Sequence, residues 1–451
     1  MRHPTSHSTR GSILVAAAIL VAIFAIFMSG VLTYISNEYR LNFRSHQFAQ
    51  SLYLAEAAVE LGFAELNYRN SFNATNGWVN LGGGSYTKIT NLTDTAGNFV
   101  GTLSNRVYAG VSPVTITGVG SATNTIGGLA NTERAVSVVL SASSLFKMAL
   151  VAKSPFSFSN NIQVDSYDSS DPTKSTGGFY DAAKAGDDGN VATTAGLVAF
   201  PSGSPIISGT IETGPGGTMT MAGNPLMGPT NSANQVGIIG GVPQIATAVA
   251  NGWLRADFSS APPDATVPAT LKTASNLGTI NLSSAGTQTI NAGSWQVNAV
   301  SIANAATLTI NGTVSLYILG NVTVANGGMI KIPTGSALTV YVGGPTMNLS
   351  GAGVINSIVQ PVNDEWFGLP TLTTATFQNG TSFIGAFYAP DTAISLLGNT
   401  QIYGAMIGSN IVMTGSAGVH FDDSLKSGGG GGGGYSIASW REMRKVNGVW
   451  Q

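Results

Sequence analysis

The chain has 451 residues, 58 of them glycine, with no cysteine, a formal net charge of −2 and only 9% charged side chains. Average soluble domains carry about 25% charged residues, so this is not the composition of an ordinary α/β enzyme. No basic stripe is present to neutralise phosphates, which leaves no nucleic acid partner to expect. The lack of cysteine removes disulfide frameworks and thiolate metal sites.

The N-terminus carries the first predicted element. A basic leader with Arg2 and Arg10 is followed by 27 uncharged residues, Gly11 to Asn37. About 20 apolar residues cross a bilayer core, and the stretch from Ile13 to Ile35 meets that length. It is too long for the apolar core of a secretory signal. The chain continues as an amphipathic helix, with Leu52, Ala55, Ala58, Val59, Gly62, Phe63 and Leu66 on one face and Glu56, Glu60 and Asn67 on the other. There is no proline between Pro4 and Pro113, so one helix from about Ile13 to about Tyr68, roughly 80 Å long, is predicted. The charges flanking the span, Glu38, Arg40 and Arg44 on its far side, barely bias its orientation.

Leader, apolar run and the segment Ala55-Glu56-Ala57-Ala58-Val59-Glu60 together resemble the N-terminus of type IV pilin-like proteins. The resemblance implies a prepilin peptidase cut between Gly11 and Ser12, an N-terminus facing the cytoplasm and the bulk outside the inner membrane. It places Ala16 at the fifth mature position, where most pilins carry a glutamate that pairs with the terminal amine of a neighbouring subunit. That departure points to the PilX-type minor pilins and related pseudopilins rather than to a bulk filament subunit.

Beyond the helix the chain reads as mainly β. Residues 71–145, with Gly82-Gly83-Gly84 and alternating runs such as Val114 to Gly118 and Ala135 to Leu140, predict a small β layer packed on the helix. Residues 146–275 look irregular, with turns at Gly214 to Gly217 and at Ala261-Pro262-Pro263-Asp264. Residues 276–425 are the best patterned: Phe383 to Tyr388 returns 19 residues later as Ile402 to Ile407, and Leu397-Gly398-Asn399 returns 17 later as Thr414-Gly415-Ser416. A repeat near 20 residues built from short strands predicts a right-handed parallel β-helix over 146–427, with Phe383 over Ile402 over Val419 in its interior. This half, from Gly385 to Pro390 through the closing Gly418 to Asp423, with Val164 to Ser169 as an entry motif, resembles the β-helical domain attached to PilX-type N-termini. A poly-glycine tether, 428–434, and a basic tail, 435–451, complete the chain; the tail reads as a terminal element folded back on the body or as a docking peptide.

Material for catalysis is scarce. His3 and His7 lie in the leader and His46 on the long helix, so His420 is left, beside an expected end-cap turn and read as structural. Carboxylate pairs that would serve glycoside chemistry could come from Asp165, Asp168 and Asp171, from Asp187 and Asp188, from Asp364 and Glu365, or from Asp422 and Asp423, but neighbours in a strand point to opposite faces. Asp187-Asp188-Gly189-Asn190 offers hard oxygen ligands for calcium, and reads better as a solvated turn. The aromatics Trp295, Tyr317, Tyr341, Phe387 and Tyr388 fall in strand patterns, and an exposed ladder of them would suit a surface glycan. The sequence therefore predicts a non-enzymatic, single-pass envelope protein without cofactor or metal, whose partners are other pilin-like subunits, the assembly machinery, the prepilin peptidase and the inner membrane. The alternatives are a membrane-anchored adhesin outside any filament and a surface carbohydrate-active enzyme.

Overall fold

The computed structural model describes residues 10–66, 72, 74–93, 95, 99–109, 113–123, 131–142, 144–229, 235, 237–239, 242–259, 262–351, 353–356, 360–428 and 435–451. The leader before Arg10, the expected helix end at Asn67 and Tyr68, and the glycines 429–434 lie outside the described residues. The chain divides into two compact units, 1–141 with 434–451, and 142–433.

In the first unit a single helix, α1 (Arg10–Ala64), runs for 55 residues, the length that an alanine- and leucine-rich, proline-free stretch allows. Four antiparallel pairings join β1 (Val79–Gly82), β2 (Ser85–Thr93), β3 (Phe99–Tyr108), β4 (Val114–Ala122) and β5 (Thr132–Ala142) into one sheet. The expected apolar stripe of α1 is the face that packs there, with Ala55, Ala58 and Val59 buried beside Val107, Ile116 and Val138. Alternate residues of β4 face the helix, and two of them are glycines. A Cβ on Gly118 would collide with the Ala55 carbonyl, and one on Gly120 with the Ser51 carbonyl. The helix backbone thus rests on the sheet backbone. Asn105 donates its Nδ2 to the Ala58 carbonyl at 3.0 Å while its Oδ1 is buried without a partner among the described residues, and Gln47 donates its Nε2 to the Thr123 carbonyl at 2.8 Å.

The C-terminal segment folds back as a strand: Tyr435–Met443 is the sixth strand of the β layer, beside β5. Ser141 meets Ser436, Arg134 meets Glu442 and Glu133 meets Lys445, a descending order that makes the pairing antiparallel. The whole of the second unit is therefore inserted between two adjacent strands of the first unit's sheet. That continuity is invisible locally because nearly three hundred residues of sequence separate the two strands.

The second unit is a parallel β-solenoid. Successive rungs between Ser275 and Asp422 pair in parallel, at offsets from 17 residues, Ile394 on Ile411, to 29, Val354 on Phe383. The stack Phe383 on Ile402 on Val419 is observed. The change of repeat from 19 to 17 residues has a local cause: the register slips between Ala389 and Ala393.

The region with the irregular pattern, 146–275, also supplies solenoid rungs, within the span 146–427 expected for the β-helix. Its first rung, Leu150–Ala152, Phe156–Ser159 and Gln163–Tyr167, pairs with the last rung of the chain: Met406 on Leu150, Met413 on Phe158 and Val419 on Val164. Two further rungs stack on its other side, Val164 on Ile207 on Met227. Stacking order and sequence order therefore differ. After Leu254, which pairs with Ile211 at that far end, residues 256–259 and 262–274 lie along the outside on the way to Ser275, where winding resumes from the opposite end. The interior stays continuous through the seam, with Trp366, Phe387, Met406, Leu150, Val191 and Ile211 forming one buried column.

Because no side chain can yield at a backbone contact, Gly120→Val is expected to cost at least the ~1–3 kcal/mol of core overpacking and to free α1 from the sheet. Limited proteolysis cutting between Gln47 and Leu66 in the variant and sparing them in the parent would be the readout.

Candidate functional site

Two kinds of surface are candidates, one on each unit. On the first unit it is α1. Ile13 to Ala64 contains the span long and apolar enough to cross a membrane, and from Ile13 to Phe27 the large side chains are exposed on all sides, Leu14 at 78% and Ile26 at 74%. Gly11 and Ser12 lie in its first turn, where the leading N–H groups lack intrahelical partners. Ala16 is exposed, Glu56 half-buried and Glu60 exposed, the two glutamates one turn apart on the side away from Ala55 and Ala58.

On the second unit the candidates are its outer faces. The outward column Tyr317, Tyr341, Phe367, Tyr388 is indeed an aromatic ladder, but it is roofed by the return segment rather than open to a glycan. Tyr388 donates its hydroxyl to the Pro263 carbonyl at 2.5 Å, the Phe258 amide bonds the Thr213 carbonyl at 3.0 Å, and Gln296 holds the Leu271 carbonyl at 3.2 Å. Phe367 and Tyr388 are consequently buried, and burial raises the Tyr388 hydroxyl's pKa above that of an ordinary tyrosine. Of the remaining aromatics singled out in the sequence, Trp295 and Phe387 point inward. The open ladder is polar: Asn281, Ser301, Thr323, Asn348, Thr376, Ser395, Val412, Ser157, Ala199 and Thr220 lie in one outward register. It bears no charge along its length.

Most carboxylates named in the sequence gather at the seam, and most of these have bonding partners there. Asp165, fully buried, lies 2.6 Å from His420 Nδ1 and accepts hydrogen bonds from Tyr180 at 2.6 Å and Gln163 at 2.7 Å. The other ring nitrogen of His420 lies 2.9 Å from Gln401 Oε1, and Tyr180 stacks on the ring at 3.8 Å. His420 thus sits within a strand at mid-stack, not beside an end cap, because the last rung is covered by residues 150–167. Burial, then the Asp165 charge, raises the Tyr180 hydroxyl's pKa far above that of an ordinary tyrosine.

Asp168 and Asp171 each close a local turn, on Ser170 and Thr173, and the Thr173 bonds hold Asp171 below the usual carboxylate range. Asp188 pairs with Lys426 at 2.9 Å and Asn190 accepts from the Thr210 amide at 2.8 Å, while Asp187 is exposed. The proposed calcium turn is therefore not assembled, and among the described residues no group of three or more acidic or histidine side chains is placed to hold a metal.

Asp422 accepts from the Ser169 and Ser424 amides and Asp423 pairs with Lys426 at 2.8 Å. Asp364 and Glu365 face opposite ways. Asp364 continues the interior column of Val314 and Leu338, fully buried, with only the Trp366 indole on Oδ1 at 2.8 Å and no partner on Oδ2. Burial raises its carboxyl well above the ordinary aspartate range, against the smaller pull of Trp366. Asp188 and Asp423 converge on one Lys426 ammonium, at 2.9 and 2.8 Å. What the sequence missed is the seam itself. Its one signal was the acid-rich entry motif Val164 to Ser169, which is hydrogen-bonded to the closing motif Gly418 to Asp422.

With this geometry in place, the chain can be set beside known proteins. A family profile described as a domain of unknown function, DUF7305, matches residues 251–428. No curated protein matches the chain. Among solved structures, an ice-binding protein from an Antarctic biological consortium is 13% identical with a TM-score of 0.29, covering 61% of this chain and 87% of that one. The competence-associated pilin ComZ of Thermus thermophilus is 12% identical with a TM-score of 0.26, covering 87% of this chain and 97% of that one. An ice-binding protein of the ascomycete Antarctomyces psychrotrophicus is 13% identical at 0.26, covering 62% and 97%. Similarities this remote bear on neither activity nor ligand.

Two stability measurements test the seam and the interior carboxyl. Asp165→Ala and His420→Ala each leave a buried partner unpaired and are expected to cost ~3–5 kcal/mol; in urea unfolding the double variant should cost less than the sum of the two. Asp364, with its folded pKa raised, folds as the neutral acid. Its penalty is absent below the ordinary aspartate value of about 3.9 and grows as pH rises above it. Asp364→Asn should therefore gain several degrees in Tm over the parent at about pH 8, a gain that shrinks toward about pH 4.

Proposed function

We propose that this protein is a non-enzymatic, membrane-anchored, pilin-like subunit that displays its inserted β-solenoid outside the inner membrane. The observation that carries this reading is the division of α1. One unbroken helix is apolar on every side over its first half and sheathed by an antiparallel sheet over its second. Such a helix satisfies its backbone internally while crossing lipid. Its naked half is suited to packing against equivalent helices of other pilin-like subunits once it leaves the membrane.

Within that reading Gly11–Ser12 is the prepilin peptidase site, and Ala16, unable to pair with a neighbour's terminal amine, favours a low-copy, PilX-type minor position in a pilus or related secretion assembly. Catalysis has no part in this reading, which is supported by the engagement of Asp165 by His420, of Asp188 and Asp423 by Lys426, and by the burial of Asp364 in the core. A second reading, an anchored surface binder that never enters a filament, is favoured by the open uncharged ladder from Asn281 to Thr220, whose hydroxyls and amides suit a neutral glycan.

N-terminal mass spectrometry of the membrane-extracted protein, from cells with and without prepilin peptidase, separates the two. A mature chain starting at an N-methylated Ser12 only when the peptidase is present is the expected result. A chain that keeps Gly11 in both strains would overturn the filament reading and leave the anchored binder.

A further inference from the structure

The outward aromatic ladder continues past Tyr388 onto Ile407 and Val151, an apolar strip that the return segment covers incompletely. Between that strip, the entry residues 144–148 and the return residues Phe258, Pro262 and Pro263 lies a cleft of about 350 Å³. Leu145, Met148, Val151, Phe258 and Ile407 make its walls apolar. The hydroxyls in the lining are already used: Ser144 accepts from the Phe146 amide at 2.9 Å, and Tyr388 donates to Pro263. Lys147 is the one charged residue of the lining. It is exposed and makes no ion pair among the described residues, whereas nearby Lys153 is held by Asp391 at 2.7 Å.

We propose that this cleft binds a free medium-chain carboxylate, its acyl chain against Met148, Val151 and Ile407 and its carboxylate on the Lys147 ammonium. The charge pattern selects this class. Mostly apolar walls whose side-chain hydroxyls are already bonded disfavour a sugar or nucleotide, and a lone cation at the mouth asks for one negative charge on an otherwise apolar body. The volume lies at the lower end of the roughly 300–1,000 Å³ of ligand-holding clefts, enough for one acyl chain and too small for a two-chain lipid. A bound chain would complete the roof over the aromatic strip and tie the entry residues to the return segment.

The test is photo-crosslinking of the full-length protein in lipid nanodiscs with a diazirine-bearing decanoate, mapped by peptide mass spectrometry. Labelling of the peptides containing Met148 and Phe258 is expected, displaced by decanoate and at least tenfold less well by the neutral decanol. Lys147→Glu, a surface change, should weaken labelling at least tenfold, and Met148→Trp, which fills the cleft, should abolish it. Labelling confined to Ile13 to Ile35 would mean that the probe enters only the bilayer or the apolar helix, and would overturn the proposal. Equal competition by decanol, or unchanged labelling in Lys147→Glu, would overturn it as well.

Discussion

Every rung of a parallel solenoid needs a neighbour on each side, and in this chain one rung finds its neighbour some 250 residues later in sequence. Leu150 to Tyr167 has a neighbour on one side only until Met406 to Asp422 has been laid down. Much else follows from that constraint. Because winding proceeds away from the seam up to Leu254 and must resume at the opposite end, a segment has to run back along the outside. Residues 256–259 and 262–274 do so, and they roof the aromatic strip that would otherwise be the stickiest face of this unit. Because the first and last rungs are neighbours, the solenoid's two chain ends emerge at the same level. This is what allows so large a unit to be inserted between two adjacent strands of another sheet.

The seam also accounts for where a chain with so few charges places them. Interior columns of Ile, Val, Leu and Phe are nearly alike from rung to rung, so apolar stacking alone hardly specifies which rung sits on which. Parallel edges would accept the wrong neighbour, including a rung of another molecule. The buried Asp165–His420 pair, with Tyr180 and Gln401 closing on it, exists only when residue 420 lies over residue 165. Desolvating such a pair makes it a poor source of net stability, but a mismatched rung would leave a buried group unpaired. The surrounding pairs, Lys426 with Asp188 and Lys153 with Asp391, repeat that selection at the rim.

How much of this the sequence could reveal follows the range of the interactions. The long helix, its sheet-facing stripe and the β-rich remainder were legible because apolar periodicity is local. So was the stack of Phe383, Ile402 and Val419, since those rungs are adjacent in sequence and nearly equal in length. Where rungs lengthen, as from Met347 to Ala375, the repeat fades and only the strands remain visible. The rungs from Leu150 to Met227 read as irregular because their pairing partner is remote. The tail beginning at Tyr435 read as an element folded back on the body or as a docking peptide, and its partner stayed hidden because β5 lies on the far side of the insertion. The face occupied by the aromatics was undecided in sequence, because alternation gives the two sides of a strand but not which side another segment will cover.

The order of assembly can be argued from the same contacts. Residues 275–422 form a stack whose pairings all lie within about 30 residues, so they can form without waiting for distant chain. The rungs at 150–227 are made earlier but cannot be completed until that stack presents its last rung, and long-range parallel pairing is slow because loop closure must precede it. Until then their strand edges and the apolar strip beneath the return segment stand open. The sparse charge of the chain offers little protection over that interval. The polar cluster at Asp165 and His420 therefore matters most as a selector at the final docking step, when the only correct template is the one that carries His420.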